Sequence, residues 1–163
     1  MNYSLFFLAG LIVSLGFPPA GLWPLSFFAF VWMGREILSQ VDSLKAKHSA
    51  LALFTYAWSV NIFGFYWIAY TFHDFANMSW WVAVPLMFLL LGLLSLLTLV
   101  WGAFLALVKK IPGPKWLWVG LLLALWDGFD FRFFPWSPVM SVGENTTLLA
   151  SVHFLGTWGW RLL

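Results

Sequence analysis

Apolar residues fill six stretches of the chain, at 4–15, 25–38, 49–70, 80–108, 116–129 and 148–163. Short polar or breaker segments separate them. Each stretch is apolar enough to be solvated by hydrocarbon. The pattern predicts an all-α, polytopic membrane helical bundle of about six transmembrane helices, taken as one domain over residues 1–163. The first stretch ends in the breaker run Gly16-Phe17-Pro18-Pro19-Ala20-Gly21. No Lys or Arg precedes it, so it lacks the positive segment of a cleaved signal and is expected to be a retained first helix. Pro24 stands where the second helix starts, a position that tolerates its missing N–H. The stretch 80–108 would reach about 43 Å as one helix, against a hydrocarbon core of about 30 Å. It is expected to tilt, or to leave Trp80 and Trp81 in the interface. The segments 71–79 and 109–115 are expected loops.

Small residues recur at helical spacing. Ala57, Asn61 and Gly64 share one face of the third stretch, and Gly92, Ser95, Gly102 and Ala106 trace a face of the fourth. In lipid, small side chains let backbones approach closely, and an Asn can hydrogen-bond across the contact. Asn61, Gly64, Gly92, Ser95 and Gly102 are therefore read as helix-packing residues.

Composition sharpens this picture. The chain is 63% hydrophobic and 9% charged, whereas soluble domains carry about 25% charged residues. The bilayer must act as solvent. The net charge of +2 gives no nucleic-acid signal. With no Cys, these residues offer no disulfide, thiolate metal site or Cys nucleophile. Arg35, Lys45, Lys47, Lys109, Lys110 and Lys115 cluster in the segments 35–48 and 109–115. Basic loops face the cytoplasm, so the N-terminus is expected inside and the segments 16–24, 71–79 and 127–147 outside, in the periplasm if the membrane is a bacterial inner membrane.

Charge is conspicuous in one apolar place, Trp126-Asp127-Gly128-Phe129-Asp130-Phe131-Arg132-Phe133-Phe134-Pro135-Trp136. Ionisable groups at membrane depth are costly and usually pair or face a cavity. Asp127 and Asp130 would share a helix face and could divide acid and base roles. No nucleophile accompanies them, so a charge-paired helix end at the outer interface is the plainer reading. Asp127, Asp130, Arg132, Phe134, Pro135 and Trp136 are the substrate- or lipid-facing candidates. His48, His73 and His153 lie in different segments, so no metal site is expected. His73-Asp74 has the form of half a base–orienter pair, without a nucleophile. No cofactor is implied.

Several motifs follow one another in order: Gly16-Phe17-Pro18-Pro19 with Leu22-Trp23-Pro24-Leu25, then Gly64-Phe65-Tyr66-Trp67-Ile68. Leu125-Trp126 follows, with an acid and Arg132 before Phe134-Pro135-Trp136, and Gly156-Thr157-Trp158-Gly159 comes last. In this order the chain resembles the N-terminal membrane part of the apolipoprotein N-acyltransferase family. The resemblance implies a role in bacterial lipoprotein maturation. That family moves an acyl chain from a phospholipid to the amine of a lipoprotein's lipidated N-terminal cysteine, through a thioester on an enzyme cysteine at the periplasmic face. Its Glu-Lys-Cys set belongs to a nitrilase-like domain that these residues do not include. The resemblance thus assigns no catalytic residue, and the chain by itself is expected to be inactive, as a truncated or split form would be. It implies membrane phospholipid and a lipoprotein substrate as partners, with a separately encoded nitrilase-like domain as a further candidate. The alternative is a non-enzymatic integral membrane lipid-binding or scaffold protein. A transporter would need a polar midplane path, and Asn61, Ser95 and Thr98 are the only polarity there, too little for one.

Overall fold

The computed structural model describes residues 1–17 and 20–129, with side chains through Trp126. The expectations for Pro18, Pro19, Asp130, Arg132, Phe134, Pro135, Trp136, His153 and the stretch 148–163 lie outside the described residues, as does the side chain of Asp127. The described residues form seven α-helices and no strand: α1 (Tyr3–Ser14), α2 (Trp23–Ser39), α3 (Ala46–Gly64), α4 (Trp67–Asp74), α5 (Trp80–Leu94), α6 (Leu97–Leu105) and α7 (Lys115–Phe129). Single 3₁₀ turns stand at Val41–Ser43 and Val108–Lys110.

Local chemistry sets the ends. The Asn2 side chain accepts from the Ser4 N–H at 3.1 Å and caps α1, supplying a partner to one of the first-turn donors. Pro24 lies in the first turn of α2, where no intrahelical donor is needed.

Helix α3 is the axis. It packs on α1 along one side and on α6 along another. Helix α2 returns against α1, and α7 packs on both α2 and α6. The contacts therefore close a circuit, α3–α1–α2–α7–α6. Phe6, Val13, Met33, Ile37, Leu53, Tyr56, Leu105, Val119 and Trp126 fill its interior. Close approach depends on small residues. A Cβ added to Gly10 would lie 2.5 Å from the Tyr56 carbonyl oxygen, and one added to Gly102 would lie 2.5 Å from the Ala50 Cα. Polar side chains in these contacts find backbone partners: Ser59 Oγ donates to the Phe7 carbonyl at 2.7 Å, and Ser26 Oγ to the Val13 carbonyl at 3.2 Å. Helices α4 and α5 form a second, smaller cluster around Ile62, Ile68, Ala69, Met87 and Leu91.

Two expected continuous helices are broken. The stretch 49–70 divides into α3 and α4, bent by 54°, and α4 runs on to Asp74, into the segment expected to be loop. Gly64, a poor helix former, ends α3 with its backbone against the Phe17 ring. The stretch 80–108 does not run straight and tilted; it bends by 40° between α5 and α6. There Ser95 Oγ donates to the Leu91 carbonyl at 2.8 Å, Thr98 Oγ1 donates to the Ser95 carbonyl at 2.7 Å, and the Leu96 N–H bonds to Leu93 O at 3.1 Å. Hydroxyls bonded back to the preceding turn, with i→i+3 backbone bonds, bend a helix. Among the described residues no single helix is long and apolar enough to cross a membrane; the two bent pairs are so by length and composition when each is taken together. The outer surface is nonetheless rich in bare apolar side chains, with Trp81 91%, Phe75 88% and Phe28 77% exposed.

Candidate functional site

The approach to the charged stretch is built by α7. Before it, Lys115 Nζ donates to the carbonyls of Val108, Lys109 and Ile111 at 3.2, 3.1 and 2.7 Å. Trp118 Nε1 donates to Pro112 O at 2.9 Å. These bonds satisfy carbonyls that the preceding turn leaves open and fix where α7 begins. Helix α7 is 15 residues long, or about 22 Å. Near its far end the buried Trp126 ring stands edge-on to Tyr56, with centroids 6.0 Å apart, and Tyr56 stands edge-on to Phe30 at 6.1 Å. The Trp126 indole N–H is buried without a hydrogen-bond partner among the described residues. The backbone of Asp127 continues this last turn. The acid thus follows directly on an aromatic layer inside the circuit.

A second aromatic group lies at the joint between α3 and α4. Phe17 and Phe65 approach with centroids 6.2 Å apart, and Phe65 meets Trp67 edge-on at 6.4 Å. A Cβ on Gly64 would overlap the Phe17 ring. The breaker run and the Gly64–Ile68 motif, distant in sequence, therefore meet. Further along α4, Tyr70 lies edge-on to Trp80 at 5.1 Å, and His73 stacks on Trp80 at 4.2 Å. His73 Nδ1 donates to the Met78 carbonyl at 2.7 Å, and Asp74 is exposed. His73 is thus held by an aromatic face and a backbone carbonyl, not by an acid that would make it a base. The sequence reading missed this group as a unit. Its signal was the aromatic spacing of Tyr66, Tyr70 and Trp80 around one short helix.

The small and polar residues sit where helices meet. Asn61 Nδ2 donates to Ser95 Oγ at 2.9 Å, joining α3 to the α5–α6 bend. A Cβ on Gly92 would lie 3.4 Å from Trp58 Nε1. The Ser95 hydroxyl is committed to Leu91 O and Asn61, with no base beside it. At the opposite end, Tyr3 and His48 share a hydrogen bond of 2.7 Å between the hydroxyl and Nδ1. Among the described residues no group of three His, Cys, Asp or Glu could hold a metal ion. The described arrangement supplies packing, aromatic surfaces and apolar outer faces. Among the described residues no Ser or Thr hydroxyl is bonded to a His or a carboxylate; the hydroxyl–imidazole pair is Tyr3–His48.

An all-α bundle with outward apolar faces and small-residue helix contacts is of the kind that membrane-associated families build. Residues 9–163 match the family model of the apolipoprotein N-acyltransferase N-terminal domain, and the chain belongs to that family. It is 28% identical over 134 residues to the apolipoprotein N-acyltransferase of Bdellovibrio bacteriovorus, an alignment covering 79% of this chain and 24% of that protein. The chain spans about a quarter of the length of the curated relative it matches.

Proposed function

We propose that these residues form the membrane part of an apolipoprotein N-acyltransferase, holding phospholipid and lipoprotein acyl chains beside a catalytic domain that lies outside them. The match to the family's N-terminal domain over residues 9–163 carries this reading. In it the chain is a single transmembrane domain of about six spans in a bacterial inner membrane, two of them bent, with the basic loops cytoplasmic. The extent of exposed apolar side chains supports a lipid surround, since soluble proteins rarely leave contiguous apolar patches bare. Helix α7 is described over Lys115–Phe129, about 22 Å of helix against a hydrocarbon thickness of about 30 Å. Asp127 is then reached within the outer half of the membrane. Asp127, Asp130 and Arg132 act there as a charged anchor, and Phe134-Pro135-Trp136 lines a lipid entrance below the catalytic domain. The acyl transfer needs a cysteine, which these 163 residues do not contain.

Complementation tests this. In a strain depleted of its own N-acyltransferase, the chain alone gives no growth, and the chain with a nitrilase-like domain supplied downstream restores it. Growth with the chain alone, or none with a catalytic domain that accumulates beside it, contradicts the reading.

A further inference from the structure

Among the described residues one end of the bundle gathers Arg35 and five lysines against two carboxylates, Glu36 and Asp42. Lys45 stands at the N-cap position of α3 without a side-chain capping bond and Lys47 lies in its first turn, while Lys109 and Lys110 lie in the 3₁₀ turn before α7 and Lys115 is the first residue of α7. Lys109 Nζ donates to the Leu44 carbonyl at 2.8 Å, and Lys115 Nζ donates to the Lys109 carbonyl at 3.1 Å. Two segments far apart in sequence are thereby fixed side by side. Within 41–48 and 108–115 the carboxylates reduce to Asp42, against these five lysines. Neither α3 nor α7 has an acid in its first turn. Lysines at the positive ends of helices are locally unfavourable, and an anion placed there relieves them.

The rim of this patch is not polar. Leu107, Trp116 and Leu117 are 47%, 65% and 47% exposed, and Lys45, Lys47 and Lys110, in the segments that the Lys109 and Lys115 bonds join, are exposed too. A soluble polyanion has no use for bare apolar side chains beside the cations. A molecule with an anionic phosphate head and acyl tails uses both.

We propose that Lys45, Lys47 and Lys110 bind the phosphate headgroup of an anionic phospholipid, with its acyl chains along Leu107, Trp116 and Leu117. The site stands at the Lys115 end of α7, away from Trp126. It rests on the membrane reading given under Proposed function. Its role is to seat the basic end in the leaflet it faces, separate from any lipid consumed at the other end.

Thermal unfolding of the purified full chain in nonionic detergent, titrated with dioctanoyl phosphatidylglycerol, dioctanoyl phosphatidylcholine or inorganic phosphate, tests the site. The phosphatidylglycerol is expected to bind about a hundredfold tighter than the phosphatidylcholine, the scale that three juxtamembrane lysines give. Lys45→Gln with Lys47→Gln and Lys110→Gln removes that preference. Lysines 109 and 115 stay untouched because they hold backbone carbonyls. If the triple variant fails to fold, Lys110→Gln alone, in an exposed turn, should weaken the preference about fivefold. Equal binding of the two lipids, a Lys110→Gln or triple variant that keeps the full preference, or inorganic phosphate matching the lipid would each overturn the site. Carbonate extraction separates the two proposals. A chain stripped from membranes by carbonate defeats the membrane reading and the site together. A chain that resists extraction yet shows no headgroup preference defeats the site alone.

Discussion

Gly102 and Gly34 both sit in helices, and a single added methyl group should act on them in opposite directions. At Gly102 the new Cβ would lie 2.5 Å from Ala50 Cα and 2.7 Å from the Ser49 carbonyl, both backbone atoms. Gly102→Ala is therefore expected to destabilise by about 1–3 kcal/mol, the scale of overpacking. At Gly34 nothing lies within 4 Å, and Gly34→Ala should be neutral or stabilise by up to about 1 kcal/mol. Thermal unfolding in detergent reads both; equal effects would mean that α3 and α6 do not approach as described. Asn61 and Ser95 form a cross-helix pair at 2.9 Å. A double-mutant cycle with Asn61→Ala and Ser95→Ala should give a coupling of about 0.6 kcal/mol, and no more than about 1.7. Sequence spacing puts Ala57, Asn61 and Gly64 on one helix face, but periodicity does not say what a face meets. Asn61 meets Ser95, Ala57 faces the core and Gly64 meets Phe17. Those partners depend on how separate helices are registered, which no local pattern encodes.

Helix ends were more legible than helix continuity. Pro24, the breaker run and the Pro-Gly loop before Lys115 mark α1, α2 and α7 because their chemistry is local. The bends at Gly64–Tyr66 and Ser95–Leu96 escape a hydropathy reading, since both sides of each are equally apolar. What bends the second is hydroxyl bonding to the previous turn, a rotamer choice invisible in composition. Ser95→Ala with Thr98→Val removes those bonds and should straighten α5 on α6. Because the chain has no native cysteine, spin labels at Val82→Cys and Leu107→Cys report cleanly. The distance between them should lengthen by about 2 Å, the difference between a straight and a bent rod of that many residues. An unchanged distance would place the cause of the bend elsewhere.

At the scale of the molecule, charge is the informative quantity. The clustering of lysines in two loops pointed to one end of the bundle, and the bond from Lys109 Nζ to Leu44 O joins those loops. The stretch from Asp130 to Trp136, which held most of the candidate site, lies outside the described residues. The sequence therefore remains its sole description, while the aromatic layer of Phe30, Tyr56 and Trp126 leading to it emerged only in three dimensions. Orientation in the membrane gives a direct prediction. An impermeant thiol reagent added outside spheroplasts should label Ala76→Cys, in the exposed segment after α4, and spare Lys47→Cys until the membrane is opened. The reverse pattern would invert the topology.

The central claim is that these residues supply the lipid-holding membrane part of an N-acyltransferase. A chimaera tests it most directly, with residues 9–163 replacing the matching N-terminal part of the Bdellovibrio bacteriovorus relative. Expressed in a strain depleted of its own enzyme, it is read by mass spectrometry of a lipoprotein's N-terminal peptide. The account predicts an amide-linked acyl chain on the N-terminal cysteine. A chimaera that inserts and accumulates normally, yet leaves that amine free, would contradict it.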